Sequence, residues 1–309
     1  MSQPEYIFKR VFNGSQQAKL LATPLYKKEL HKDIKAGKIF PAFRNNIIDF
    51  YYKGGNAFKF KDGTFSTHVK YASVLNGHDK PYINEKELQK AKLITDFMDG
   101  YCRIKENCSL YSGVEAKGVS SLFSKSSYAL PNPNTGIPKI VVLDIEVSLK
   151  ALDDLEAISS ETQSSQDRID LLLFNTKTKK LQFFEVKHFS NSEIWSEKGT
   201  KPDVIKQIQR YNLQIVKNRE GILSAYKEYV KTARELFDLT KLDLPDPEQL
   251  SDEVILLVFG FDSHQKKKID ELLIKDESLV KISRRFLGNL KLASDVWNEE
   301  SIIKAGQIK

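Results

Sequence analysis

The sequence predicts an α/β protein with a mixed central sheet and flanking helices, preceded by a basic region rich in strands. Three observations support this fold class. Apolar segments of strand length occupy residues 139–149, 168–174 and 181–188, with a short polar turn between the last two. A long helical pattern separates these segments from a further apolar strand at 254–261, as in a crossover connection. Finally, the excess of basic over acidic residues lies near the start of the chain.

The charge distribution distinguishes the N-terminal region from the rest of the 309 residues, whose net charge is +7. Residues 1–83 contain 14 Lys and Arg against 6 Asp and Glu, a net charge of +8. The remaining residues contain 34 against 35, a net charge of -1. Such asymmetry is typical of a segment that faces phosphates, attached to a nearly neutral body. The alternative is an ordinary lysine-rich surface in water.

Residues 38–71 have the pattern of an antiparallel β-meander. The Gly-Gly pair at 54–55 and the Asp-Gly pair at 62–63 suit tight hairpin turns, and Phe alternates with Lys along the middle strand. One face of that strand is therefore expected to be apolar and the other cationic. A sheet with such a face can follow a nucleic-acid backbone. The alternative is an amphipathic sheet whose aromatic residues form its core. The candidate nucleic-acid-binding residues are Lys53, Lys59 and Lys61.

A helix and a junction are predicted after the meander. Asn84 and Glu87 resemble a capping box, and the apolar stripe that follows predicts a helix to about Tyr101. Residues 107–137 are rich in Ser, Gly, Asn and Pro, which indicates a junction. The predicted organisation is a basic β-meander region at 1–83, a helical segment and linker at 84–137, and a third domain at 138–309.

Within the third domain, Pro202 suits the first turn of a long helix that reaches about residue 237, with a possible break at Gly221. A second helix is expected from Ser263 to about residue 275. Three antiparallel strands, a crossover helix and a further strand together predict a mixed sheet.

Composition excludes several classes of protein. Mean hydropathy is -0.41 and no apolar segment approaches the ~20 residues of a membrane-spanning helix. The N-terminus carries charges where a signal peptide would be apolar, so we expect a soluble, cytoplasmic protein without membrane partners. The two cysteines, Cys102 and Cys108, are too few for a four-cysteine metal site and are expected to be free thiols.

Three ionisable residues in neighbouring strands form the strongest candidate site. Asp170 lies in a segment of leucines, and Glu185 and Lys187 share one face of the next strand because strand side chains alternate. A hairpin between these strands brings Asp170 beside Glu185. Burying an unpaired carboxylate is costly, and two neighbouring carboxylates repel each other. A bound Mg²⁺ or Mn²⁺ would relieve both problems, since these ions prefer oxygen ligands.

This arrangement suits phosphodiester hydrolysis. A metal ion held by Asp170 and Glu185 could polarise both a water molecule and the phosphate, while Lys187 could orient the water or stabilise the negative charge of the transition state. Gln207 and Tyr211 are four residues apart on the predicted long helix, so they share a face and could reach the phosphate or the water around the ion.

The ordered set of Asp170, the Glu-Val-Lys segment at 185–187, and Gln207 with Tyr211 resembles the PD-(D/E)XK nuclease superfamily, especially its RecB-like branch with a QxxxY motif. The resemblance covers roughly residues 138–275. It implies a restriction-endonuclease-like core and a metal-dependent nuclease (a hydrolase) that acts on DNA. Asp170 and Glu185 would be metal ligands, Lys187 the catalytic lysine, and Gln207 and Tyr211 an accessory motif.

The upstream acidic residue of that family has two candidates here, Glu146 on the first strand and Glu115. Glu146 is preferred, as a third metal ligand beside Asp170 and Glu185, because it belongs to the same sheet. A nucleic-acid-binding module without turnover, or a structural partner in a larger assembly, remain the alternatives. The sequence does not distinguish endonuclease from exonuclease, DNA from RNA, sequence or structure specificity, the biological pathway, or a monomer from a homo-oligomer or larger complex.

Overall fold

The protein is described by a computed structural model that covers residues 8–74, 86, 92–130, 137–149, 168–196, 201–274 and 276–307. The predicted α/β class is confirmed: a mixed sheet is flanked by helices. The strands are β1 Ile39–Phe43, β2 Ile47–Tyr52, β3 Gly55–Lys61, β4 Thr64–Ser66, β5 Ser73–Val74, β6 Lys92–Leu93, β7 Ile140–Ser148, β8 Arg168–Asn175, β9 Lys180–His188, β10 Gln249–Leu250, β11 Ile255–Phe259 and β12 Arg284–Leu287.

The helices account for most of the remaining regular structure. The α-helices are α1 Gly14–Ala22, α2 His31–Lys35, α3 Val69–Ala72, α4 Tyr101–Leu110, α5 Val114–Ser126, α6 Asp203–Lys217, α7 Arg219–Phe237, α8 Ser263–Ile269 and α9 Ala293–Val296. Short π-helical turns occupy Tyr26–Leu30 and Asp270–Ile274, and 3-10 turns occupy Ser192–Ile194, Leu279–Lys281 and Glu299–Ser301.

The predicted N-terminal meander is confirmed as far as Ser66, whereas the end of the predicted segment, from Val69, forms helix α3. Strands β1, β2, β3 and β4 pair in that order and are all antiparallel. The alternation along β3 separates its two faces: Phe58 and Phe60 are completely buried, whereas Lys59 and Lys61 are exposed. The aromatic residues of this strand therefore form core.

The central sheet has the order β12, β11, β9, β8, β7, with β10 beside β9. Strands β7, β8 and β9 are antiparallel neighbours, as predicted. Strand β11 returns parallel to β9 after the helical crossover, which makes the sheet mixed. The sequence analysis missed β12 because two of its four residues are arginines, and missed β10 because it is only two residues long.

The two sheets share one continuous apolar core. A buried ion cluster also joins them: Asp144 on β7 accepts hydrogen bonds from Arg10 Nε at 3.1 Å and from Arg44 Nη1 at 2.7 Å. Tyr226 on α7 donates to the same carboxylate at 2.9 Å. The N-terminal region is thus packed directly against the central sheet.

The prediction of a helix that extends to Tyr101 is wrong for residues 92–100. Residues 92–100 contain β6 and a series of turns, and the helix begins only at Tyr101. The Asp96 carboxylate accepts hydrogen bonds from the backbone amides of Met98 and Asp99, a local turn that competes with a helix. Asn84 and Glu87, the predicted capping box, lie outside the described residues.

The serine-rich segment that suggested a junction contains helix α5, which packs against β7, β8 and β9. Its serine hydroxyls donate to backbone carbonyls about one turn earlier: Ser120 to Ala116 and Ser121 to Gly118. Such bonds satisfy the hydroxyls without interrupting the helix. The domain boundaries given above stay a prediction.

The long helix predicted from residue 202 is interrupted at Asn218, not at Gly221. Asn218 Nδ2 donates to the carbonyl of Gln214 at 2.9 Å and so caps the last turn of α6. Gly221 lies within α7, with open space around it. In the described part of the chain, none of the helices is both apolar enough and long enough to cross a bilayer.

Candidate active site

Three acidic residues lie side by side on β7, β8 and β9. The register that pairs Leu171 with Phe184 continues to place Asp170 opposite Glu185. On the other side of β8, Glu146 is flanked by Ile145 and Val147, whose partners flank Asp170. Glu146 and Asp170 line one cleft, and the charges of Glu146 and Glu185 both act on Asp170, so the three carboxylates are neighbours on the sheet.

Asp170 lies on the middle one of these three strands. Its Oδ2 accepts a hydrogen bond of 2.8 Å from the backbone amide of Val186. Burial and the neighbouring charges of Glu185 and Glu146 raise the pKa of Asp170 well above its usual range, against the opposing effects of that amide and of Lys187. An ionised Asp170 thus needs a positive partner.

Glu185 is 1% exposed and forms an ion pair with Lys187. Its Oε1 lies 2.9 Å from Lys187 Nζ, whereas its buried Oε2 has no hydrogen-bond partner among the residues that the structure describes. Burial raises the pKa of Glu185 to about 7; Lys187 opposes this shift, and Glu193 and Glu115 add to it. The unpartnered oxygen faces a cost of burial that a bound cation would offset.

Lys187 is 7% exposed and holds its charge through neighbouring acids. Besides Glu185, its Nζ contacts Glu193 Oε2 at 2.5 Å. Burial alone would lower the pKa of Lys187, but the carboxylates of Glu185, Glu193 and Asp170 more than compensate and raise it. The side chain is therefore an ammonium ion that can donate hydrogen bonds and cannot serve as a base at neutral pH.

Both candidates for the upstream acid line one cleft of about 360 Å³ together with Asp170. Glu115 at the start of α5 is already engaged: its Oε1 accepts hydrogen bonds from the His188 amide at 2.9 Å and from Asn191 Nδ2 at 2.8 Å. Glu146 has, among the described residues, a single ion pair, of 3.7 Å with the exposed Arg168. Glu146 is thus the freer carboxylate, and the choice between them stays a prediction.

Glu146 also has an unusual backbone. Its φ is +50°, and among the described non-glycine residues with positive φ it is the one that lies within a strand. Left-handed backbone costs a non-glycine residue about 1–2 kcal/mol. Strain of this kind often lies at functional sites.

Gln207 and Tyr211 share one face of α6, as predicted. Gln207 Nε2 donates to the Tyr211 hydroxyl at 2.8 Å, and that hydroxyl donates to the carbonyl of Arg168 at 2.7 Å. Tyr211 is 1% exposed. The pair therefore holds the first residue of β8, two positions before Asp170, which suits a positioning role.

The N-terminal lysines lie on the other sheet. Lys53 is at the β2–β3 turn with its Nζ 5.5 Å from the ring centre of Tyr52, and Lys59 Nζ is 3.8 Å from Asp49 Oδ1. Lys61 is exposed. All three are accessible to a ligand, and their role in nucleic-acid binding stays a prediction.

Sequence reasoning missed the loop after β9. The side chain of Asn191 accepts from the amide of Glu193 at the start of a 3-10 turn, and this turn brings Glu193 to Lys187. The Asn-Ser-Glu order is typical of such a capped turn and could have been noticed. The contact with Lys187 depends on the tertiary path of the loop.

The described residues contain no group of three His, Cys, Asp or Glu side chains arranged to hold a metal ion. Asp170 and Glu185 still fit Mg²⁺, which usually takes one or two protein carboxylates and completes its shell with water and substrate phosphate. Besides the closeness of these two carboxylates, the unpartnered Oε2 of Glu185 favours a cation at this position. Comparison of the chain with protein-family models, curated proteins and solved structures finds no match.

Proposed function

We propose that the protein is a nuclease that depends on Mg²⁺ or Mn²⁺ and hydrolyses phosphodiester bonds in DNA, with a PD-(D/E)XK-like (restriction-endonuclease-like) core. One observation carries the proposal: two repelling carboxylates of adjacent strands, Asp170 and Glu185, have raised pKa values and an unpartnered oxygen beside the ammonium of Lys187. Buried charge arranged in this way is costly to the fold, and such clusters occur mainly where chemistry requires them.

Each residue has a defined part in the proposed reaction. Asp170 and Glu185 would hold the ion, which supplies positive charge for the phosphate and an activated water. Glu146, or Glu115 in its place, would hold a water molecule of the metal shell. Lys187 would donate hydrogen bonds to the attacking water and the phosphate, which requires it to release Glu193. Gln207 and Tyr211 would keep the start of β8 in place.

The substrate would also contact the basic N-terminal region. Lys53, Lys59 and Lys61 are the predicted phosphate contacts, and Lys59 would exchange its ion pair with Asp49 for one with the nucleic acid. Replacement of all three by Glu should weaken DNA binding and reduce its salt dependence. Unchanged affinity would remove these lysines from the proposed function.

Cleavage assays with matched variants test the nuclease proposal. Purified protein is incubated with linear, circular and single-stranded DNA in Mg²⁺, Mn²⁺ or EDTA, beside Asp170→Asn and Lys187→Met. Each variant should reduce the cleavage rate by about a hundredfold or more, because the ion or the hydrogen bonds to the reacting groups are lost. Lys177→Met, in the exposed turn between β8 and β9, is the charge-matched control and should cleave like the wild type.

A binding measurement supplies an independent readout. Mg²⁺ should raise the thermal unfolding temperature of the wild type, because a ligand of the native state stabilises it, but not that of Asp170→Asn. Cleavage that persists in both variants would point to a contaminant or another site. Absence of cleavage under every condition would contradict the proposal.

A nucleic-acid-binding module without turnover is the second candidate. It is favoured by one observation, the occupation of the Lys187 ammonium by both Glu185 and Glu193. If the protein is such a module, neither the wild type nor Glu193→Gln should cleave DNA. Under the nuclease proposal the same variant retains cleavage, because Glu193 competes with the substrate for Lys187.

A further inference from the structure

A groove of about 660 Å³ lies between the N-terminal sheet and helix α5. Three lysines line it: Lys38 after α2, Lys53 at the β2–β3 turn and Lys117 on α5. Within the described part of the chain, no Asp or Glu lines this groove. The groove therefore has the charge expected of a site for a polyanion.

The acid that pairs with Lys38 also has other partners. Asp33 is 3.7 Å from Lys38 Nζ, but it also forms an ion pair with Lys105 and accepts a hydrogen bond of 2.8 Å from the Tyr101 hydroxyl. Lys38 remains 60% exposed. Its charge is thus available to a ligand in the groove.

The remaining walls suit a nucleic acid. Tyr52, half-buried, offers an aromatic ring beside Lys53, and Ser120 and Ser124 on α5 offer hydroxyl groups. Single-strand-binding proteins combine a cationic groove with aromatic rings on which bases stack. The groove has both features, three lysines and one aromatic ring, in its lining.

The groove and the candidate active site share helix α5. Glu115 and Ala116 line the acidic cleft, and the next residue, Lys117, lines the groove. The β2–β3 turn is packed tightly here: a Cβ on Gly54 would lie 2.7 Å from the carbonyl carbon of Ala116 and 2.8 Å from the amide nitrogen of Lys117. The basic turn is therefore held against the helix that leads into the site.

From these observations we infer that the groove binds one strand of the nucleic acid by its phosphates, through Lys38, Lys53 and Lys117, and leads that strand to the acidic cleft. The inference rests on the proposed nuclease function and deepens it, because it specifies single-stranded nucleic acid as the substrate. It also separates Lys53 from Lys59 and Lys61, which do not line the groove.

The test measures binding in EDTA, where metal-dependent cleavage cannot occur. A fluorescent thymidine oligonucleotide of about 20 nucleotides exceeds the ~4–16 that one single-strand-binding fold covers. The variant Lys38→Glu/Lys117→Glu is compared with Lys227→Glu/Lys231→Glu, which changes two exposed lysines of α7 by the same charge. Lys117→Gln, which adds no acid, is included in case the double variant misfolds.

We expect Lys38→Glu/Lys117→Glu to bind the oligonucleotide about tenfold more weakly than the wild type. The slope of log affinity against log salt concentration should become less steep by about 1.4, which corresponds to the loss of two phosphate contacts with a single strand. The control variant should bind like the wild type. Wild-type affinity in both groove variants, or a wild-type protein that does not bind the oligonucleotide, would overturn the inference. Equal competition by a blunt duplex would overturn its restriction to single strands. If binding behaves as expected but the wild type never cleaves DNA, the groove stands and the nuclease proposal fails.

Discussion

Glu185 is almost fully buried beside a lysine that it binds and acidic residues that repel it. The strand period was sufficient to predict that Glu185 and Lys187 share a face, because alternation is a local property of a strand. It was also sufficient to place Asp170 opposite Glu185 once the turn at 175–180 was recognised. The contact of Lys187 with Glu193 was not predictable, because it depends on how a loop folds back over the sheet.

The raised pKa of Glu185 predicts a pH dependence of stability without metal. The pKa of the Glu185 carboxyl is about 7 in the native state, against an ordinary value of 4.5. Between pH 4.5 and pH 7 the native state therefore binds a proton at Glu185 that the unfolded state has released. The free energy of unfolding should therefore fall as pH rises from about 4.5 to about 7, with Asp170 adding to the fall.

Urea unfolding in EDTA at a series of pH values measures this effect. Glu185→Gln should flatten the decline, because the amide does not titrate. Glu248→Gln, at an exposed position, should leave the decline unchanged. A decline of equal slope in Glu185→Gln and the wild type would show that other groups are responsible.

Among the elements, the β2–β3 turn is packed tightly against helix α5 at Gly54. Hairpin turns at 54–55 and 62–63 follow from local residue preferences, and the sequence predicted both. Helix α5 was not recognised, because its serines and glycine resemble a linker until the packing of Leu122 and Phe123 against the rest of the molecule is known. Tertiary burial here outweighs a weak local preference.

Two glycines of the meander provide a matched test of this contact. Gly54 and Gly63 both have positive φ, at +94° and +89°, so alanine at either costs about 1–2 kcal/mol. Alanine at Gly54 would also clash with the backbone of α5, whereas at Gly63 the nearest atom is 3.7 Å away on the Lys19 side chain.

Gly54→Ala should therefore be less stable than Gly63→Ala by about 1–3 kcal/mol in denaturant unfolding. If the groove guides the substrate, the Gly54→Ala variant should also bind the oligonucleotide more weakly than the Gly63→Ala variant. Equal stability of the two variants would mean that the turn can move away from the helix at little cost.

At the scale of the whole molecule, Asp144 joins the N-terminal region to the central sheet. Removing its carboxylate leaves Arg10 and Arg44 buried without their main partner. Asp144→Ala should lower the free energy of unfolding by about 3–5 kcal/mol. Glu248→Ala, which removes the exposed ion pair with Lys179, should cost less than about 1 kcal/mol.

Denaturant unfolding followed by both circular dichroism and tyrosine fluorescence measures these losses. Asp144→Asn, which retains the shape of the side chain, serves if the alanine variant does not fold. A loss for Asp144→Ala no larger than that for Glu248→Ala would show that the cluster contributes no more than a surface pair. The cluster itself was not predictable, because its members are more than 30 residues apart in sequence.

At Glu146, which has a left-handed backbone, the residue that is best for stability differs from the residue that is best for the proposed activity. Glycine accepts this conformation freely. The free energy of unfolding of Glu146→Gly should therefore equal that of the wild type or exceed it by up to about 1 kcal/mol, and its melting temperature should be at least as high. The same change deletes a carboxylate from the cleft and should slow DNA cleavage. A random library selected only for heat resistance would then enrich this variant, and one selected for cleavage would reject it.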